Sequence, residues 1–481
     1  MLQTLSKYTD QRLFWLVSSI VILFFGLAVV MYNPLPALVP IALVFGAYVF
    51  LKPVNLYYLF FFLLPFSVEI YLPNGLGTDL PSEPLMLVLT GLAILLFLQN
   101  VNKVKKEYFT HPISLVLYLH IFWIAFSAFF STNMVFSLKF LIAKFWYVIP
   151  FYFLPFLMFK KTVEIRKIFV FLGLGLFISV AYVMARHAAL GFSFDGINTA
   201  VKPIYRNHVN YGIMLTSFLP FMWYLLTTSK KYFFIKVVAL IFLLAAIYLT
   251  YTRAAQAAIV LAIGVYWVVK WRLAKVAVLT SLILGGLLVV FLSTNNRYLD
   301  MAPDYNKAIA HDKFDNLLEA TYKMEDISTV ERFYRWIAGF YMIKNKPVTG
   351  YGPSTFYSEY KSHTVTSYKT YVSDNPERSG IHNYYLMVAV EQGIPGFIIF
   401  MIMVILPILI GEVTYHNTKD KKDKGLVMAS IICFVLIDIV ILINDLLEAD
   451  KVGPFFFLSM AIVVFLSVKT QISNNSTLEK A

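Results

Sequence analysis

Cysteine is almost absent from this 481-residue chain: there is one, Cys433. A single thiol forms no intrachain disulfide and builds no cysteine-based metal centre. Its place inside an apolar run marks it as a small buried hydrophobe. Charge is scarce as well. Asp, Glu, Lys and Arg make up 14% of the residues, against 59% hydrophobic, and the mean hydropathy is +0.72. A soluble fold of this size has no way to bury so much apolar surface, so the chain is expected to be solvated largely by lipid. The sequence also lacks a P-loop, a dinucleotide-binding glycine fingerprint, a His/Cys/Asp cluster at metal-ligand spacing and any internal repeat. No cleavable signal peptide is expected, because the apolar run from Phe14 to Tyr32 is long enough to span and no small-residue cleavage site separates it from the next run.

What is present is a series of apolar runs of roughly 16–22 residues, about the length a helix needs to cross a bilayer. They lie near 14–32, 36–51, 55–71, 84–99, 112–130, 138–159, 168–189, 211–228, 237–251, 254–270, 276–293, 396–413, 426–443 and 453–468. The fold class is therefore an all-α polytopic membrane protein with about 12–14 transmembrane helices, the lower figure applying if two short runs are re-entrant or interfacial. The net charge of +13 follows the same map. Basic clusters follow every even-numbered run: Lys103, Lys105 and Lys106 after the fourth, Lys160, Lys161, Arg166 and Lys167 after the sixth, Lys419 to Lys424 after the twelfth. By the positive-inside rule both termini are cytoplasmic and the odd-numbered loops face outwards.

Most outer loops are short. Gly191 to Asn210 is moderate, and Asn295 to about Asn383 is too long for a connector. This divides the chain into an N-terminal bundle (1–293), a large periplasmic loop domain (294–384), C-terminal helices (385–470) and a disordered cytoplasmic tail (471–481). Within the large loop, Phe333, Trp336, Ile337, Phe340 and Tyr341 share one stripe of an amphipathic helix predicted over 330–344. Asn345-Lys346-Pro347 ends it, and Gly350-Tyr351-Gly352-Pro353 forces a turn.

The outer face carries the candidate chemistry. Arg253 stands between two apolar runs with almost no loop, where a charge is costly and a guanidinium can grip a phosphate with two parallel bonds. Arg206 lies at the mouth of the eighth run, beside Asn207 and His208. Arg332 and Arg335, three apart, project from one face of the loop helix. His382 is a histidine able to accept a proton at neutral pH. Asn383, Glu391 and Lys144 are supporting candidates. Glu391, read as orienting His382 or a substrate, precedes a helix break read at Gly393-Ile394-Pro395-Gly396, and Lys144 lies deep in the sixth run. Asp438, in the thirteenth, is a further intramembrane charge.

In order, Tyr251-Thr252-Arg253-Ala254-Ala255, Glu331-Arg332 with Arg335-Trp336, Lys346-Pro347-Val348-Thr349-Gly350-Tyr351-Gly352-Pro353-Ser354-Thr355-Phe356, and His382-Asn383-Tyr384-Tyr385-Leu386 with Glu391-Gln392-Gly393-Ile394-Pro395-Gly396 resemble the bacterial O-antigen ligase and polymerase superfamily. The resemblance covers about 200–415 and reaches the N-terminal half by topology alone. It implies a C-type glycosyltransferase-like fold and cofactor-free, metal-independent, inverting glycosyl transfer at the periplasmic face of the inner membrane. The implied donor is a glycan on undecaprenyl diphosphate. The implied acceptor is lipid A–core in a ligase, another lipid-linked repeat in a polymerase, or a Ser or Thr in a protein O-glycosyltransferase. Carried over, His382 is the base or a key acceptor contact, and Arg206 and Arg253 bind the donor diphosphate. A transporter or lipid flippase is the reading from another class, but it needs no ninety-residue outer loop.

Overall fold

The computed structural model describes residues 51–71, 77–100, 104–297, 327–364 and 380–478, with parts of 15–46. Residues 298–326 and 365–379 of the large loop, and most of the second predicted span, lie outside the described residues. The chain divides into two compact units, Met1–Leu59 and Phe60–Ala481. The described part of the first holds an apolar helix over Ser18–Val30 and a short 3-10 turn at Leu35–Ala37.

Near its start the second unit forms a β-hairpin, β1 (Val68–Tyr71) pairing antiparallel with β2 (Gly77–Leu80), Val68 opposite Leu80. This corrects the third predicted span, read to residue 71. Its helix stops at Leu63, Pro65 sits in the 3-10 turn that follows, and the alternating Val-Glu-Ile-Tyr then runs as a strand. Helices make up the rest: α1 (Ser82–Asn100), α2 (Pro112–Phe129), α3 (Met134–Val148), α4 (Thr162–Ala189), α5 (Phe194–Val201), α6 (His208–Thr227), α7 (Phe233–Tyr248), α8 (Arg253–Lys270), α9 (Ala274–Ser293), α10 (Ile327–Asn345), α11 (Tyr384–Asn417), α12 (Lys421–Val440) and α13 (Gly453–Leu478). Among the described residues nine helices are long and apolar enough to cross a membrane, and the 20-residue α12 packs among them. The expected all-α polytopic architecture is the one observed.

Burial sorts these helices. α6 and α13 form the centre, packed against α12, and their apolar side chains are mostly covered. α9 buries nothing over its apolar length, so Val276, Leu279, Leu287 and Val290 face outwards all along it. In water this would be an unstable surface, and in lipid it costs nothing. Two further expectations change in detail. The 191–210 loop contains α5, started by Ser193, whose hydroxyl accepts the Gly196 N–H at 3.1 Å. The tail expected to be disordered from 471 continues α13 to Leu478. Lys469 ties the helix to Asp423 and Thr162, and no glycine or proline follows to stop it.

Candidate active site

His382 lies just before α11 with its backbone in the left-handed region (φ 54°), a conformation that costs a side-chain-bearing residue energy and must be held by its surroundings. Several bonds hold it. The Asp445 carboxylate accepts the His382 N–H at 2.7 Å and also takes the Asn383 N–H. Arg335, from α10, donates to the Gly380 carbonyl at 2.6 Å, and the Trp336 indole donates to the Ile381 carbonyl at 3.1 Å. The Tyr384 N–H donates to the Ile441 carbonyl at 2.9 Å. The His382 segment is thus clamped between the loop helix and the α12–α13 connector. Asn383 serves as the N-cap of α11, its side chain accepting the Leu386 N–H at 3.0 Å.

The electrostatics follow from this packing. Burial, and then the guanidiniums of Arg335 and Arg332, push the His382 imidazolium down to about 3, so the ring is neutral at physiological pH. Asp445 moves the other way. Burial raises it to about 6, against the downward pull of the two backbone N–H groups and, more weakly, of Arg335.

Asp445 also faces a cavity of about 1270 Å³, bounded by the hairpin, the segment before α6 and the α12–α13 connector. Arg206 lines it with a 60% exposed side chain, 3.9 Å from the Glu69 carboxylate. Lys202 and Lys451 bring the lining cations to three, against the carboxylates of Glu69, Asp79, Asp445, Glu448 and Asp450. Lys451 donates to the Ser67 carbonyl at 2.8 Å and lies 3.6 Å from Asp450, which accepts from Ser82 at 2.8 Å. Burial, then the Asp450 charge, raises Asp79 to about 7. Behind the wall, Lys144 is buried and paired with Glu448. It also donates to the Tyr384 hydroxyl at 3.2 Å, which in turn donates to Glu448 at 2.5 Å.

Of the eight candidate site residues, Arg206 lines the cavity, Lys144 reaches its wall through Glu448, His382, Asn383 and Arg335 reach it through Asp445, and Arg332 acts on the His382 ring. Arg253 begins α8 at the same end of the bundle, where Thr252 donates to the His208 carbonyl at 3.1 Å, but it is not part of this cavity's lining. Glu391 is placed differently from the expectation that it orients His382 or a substrate. It is buried, and its carboxylate accepts the N–H groups of Ser354 (2.8 Å) and Phe356 (3.0 Å), fastening the 350–356 turn into the bend of α11 at Gly393. Gly350 (φ 67°) is needed in that turn, because a Cβ there would overlap the Glu391 backbone.

The α12–α13 connector was missed as part of the site. Its signal was present: Asn444-Asp445-Leu446-Leu447-Glu448-Ala449-Asp450-Lys451 packs four charges between two apolar runs. Among the described residues no three of His, Cys, Asp or Glu are grouped to hold a metal ion.

A comparison with curated proteins gave no match. Residues 238–401 match the O-antigen ligase family. The matched stretch contains Arg253, Arg332, Arg335, His382, Asn383 and Glu391 and leaves out Lys144, Arg206 and Asp445. Over this stretch, about a third of its length, the chain is similar to the O-antigen ligase family, whose members are glycosyltransferase-like enzymes, and its series of apolar helices is that of a multi-pass membrane protein.

Proposed function

We propose that the protein is a ligase-type glycosyltransferase. It moves a glycan from undecaprenyl diphosphate to a hydroxyl of lipid A–core, at the periplasmic face of the bacterial inner membrane. The observation that carries this reading is the joining of the His382 segment and Arg335, through Asp445, to the wall of a large polar cavity that Arg206 lines.

In this reading the acceptor oxygen attacks the anomeric carbon while the bond from that carbon to the diphosphate oxygen breaks, inverting the centre. The hydroxyl proton passes to the His382 ring, which is neutral at physiological pH. The leaving diphosphate gathers negative charge, and the guanidinium of Arg206 in the cavity, with that of Arg332 beside the histidine, stabilises it without a metal ion. Arg335 acts through its bond to Gly380 and holds the histidine in place. A bound diphosphate near Arg332 and Arg335 offsets their effect on the imidazole, so the base strengthens when the donor arrives. Apolar outward faces such as that of α9 give the polyprenyl tail a path within the bilayer.

The test is reconstitution in vesicles with lipid-linked glycan and purified lipid A–core. Glycan joined to lipid A–core, unaffected by chelator, supports the reading. Joining only to a second lipid-linked repeat makes the protein a polymerase, and joining to a Ser or Thr makes it a protein glycosyltransferase. Lipid-linked glycan that crosses the bilayer unjoined makes it a flippase. A strict requirement for divalent metal removes the arginine-based mechanism.

A further inference from the structure

The opposite end of the bundle has a site of its own. There the starts of α4 and α12 and the ends of α6, α11 and α13 surround a cavity of about 550 Å³. Its lining includes six basic side chains, Lys160, Lys161, Arg166, Lys419, Lys422 and Lys469, against two acidic ones, Asp420 and Asp423. Both acids are engaged. Asp420 caps α12, accepting the N–H groups of Lys422 and Asp423 at 2.9 Å each. Asp423 pairs with Lys469 at 2.6 Å. The other five cations have no carboxylate partner among the described residues. The Arg166 Nε is buried with no hydrogen-bond acceptor.

Five like charges converging on a concave surface repel one another and call for an anion. Which anion follows from what borders the cup. Val163 lines the cavity and is 57% exposed. Seven and eleven residues further along α4, on the same face, Val170 and Leu174 are exposed as well. An apolar track thus leaves the cationic cup along the outer face of a membrane-crossing helix. We propose that this cavity binds the phosphodiester headgroup of an anionic phospholipid, with its acyl chains on the α4 track. A free phosphate would use the cup and leave the track idle. A topological charge signal alone needs neither concavity nor convergence. The proposal stands independently of the transferase reading.

The test uses the full chain, purified from discs of phosphatidylethanolamine with phosphatidylglycerol and weighed intact by native mass spectrometry. The wild type should retain phosphatidylglycerol through detergent exchange. K161Q/R166Q should retain about twenty-five-fold less, at roughly fivefold per cation. K419Q/K422Q, whose side chains are exposed and do not bear on folding, should show a similar loss. K105Q/K106Q, a basic pair outside this cavity, should behave as wild type. Retention equal to that of the wild type in both cavity variants overturns the proposal. So does protection of the wild type against heating by millimolar inorganic phosphate as strong as that given by phosphatidylglycerol, which would assign the cup to a free anion.

Discussion

The same helices build two ends of opposite electrostatic character. Where α11 starts and α12 finishes, buried charges meet partners: Asp445 takes the His382 N–H, Arg335 holds Gly380, Lys144 pairs with Glu448 and Lys451 lies by Asp450. At the other end, cations outnumber acids three to one around the second cavity and are mostly exposed. Burial explains the contrast. A charge taken out of water must be matched within the protein or it shifts its protonation, whereas one at the solvated rim needs no match. The first end should therefore fail all at once when a single group is removed, and the second should weaken by steps. The largest expected effect is His382→Ala. It should lower transfer in vesicles by about 10²–10⁴ while the protein still accumulates in the membrane. A variant within a few-fold of wild type would remove the imidazole from the chemistry and erase the difference between the ends.

Arg206 and Arg335 sharpen the comparison within one end. Arg206 is mostly exposed and its ion-pair contact with Glu69 is long, so Arg206→Ala should leave protein levels unchanged and cost transfer roughly tenfold to a hundredfold, with partial recovery in Arg206→Lys. Arg335 is buried and donates to Gly380, so Arg335→Ala should reduce both transfer and the yield of folded protein. If the two substitutions gave the same pattern, exposure would not be what separates substrate-binding from position-holding arginines.

Acidity offers a smaller and more specific test. Asp445 titrates near 6 and is ionised above that value, and it takes a proton as the pH falls through it. His382 stays neutral down to about 3. The acid limb of kcat/KM should therefore lie near pH 6 and report the carboxyl that holds the histidine. In Asp445→Asn the limb should flatten, with a pH-independent rate about tenfold lower. An acid limb that stays in place in Asp445→Asn would assign it to another group.

Much of this was legible in the sequence because a membrane constrains a chain harshly. Apolar runs of spanning length, and basic clusters after alternate runs, gave the helical architecture directly. A stripe of Phe333, Trp336, Ile337 and Phe340 marked a helix that the structure extends over Ile327–Asn345. His382 and the arginines stood out because charge is expensive near lipid. What stayed hidden depended on partners far apart in sequence. Asp445 is 63 residues from the histidine that it holds, and Glu448 is 304 from Lys144. The β1–β2 hairpin was masked by its own hydrophobicity, since Leu63-Leu64-Pro65-Phe66 continues an apolar run and only the proline signals the change of period.

Glu391 gives the smallest effect and separates two kinds of buried charge. Its position before the glycine-proline bend suggested a part in orienting His382, yet its oxygens accept from Ser354 and Phe356, and its own carbonyl accepts the Gly352 N–H at 2.8 Å. The carboxylate thus replaces the hydrogen bonds that the 350–356 turn cannot make with itself. Glu391→Gln keeps one acceptor oxygen and puts a donor where the second stood, which should cost about 1–3 kcal/mol of local stability. Purified in detergent, the variant should lose its monodisperse form at lower temperature than wild type, while transfer per folded molecule stays within about twofold. A large loss of transfer with unchanged heat resistance would return Glu391 to the reaction, because a side chain that only fastens a turn should affect folding before it affects rate.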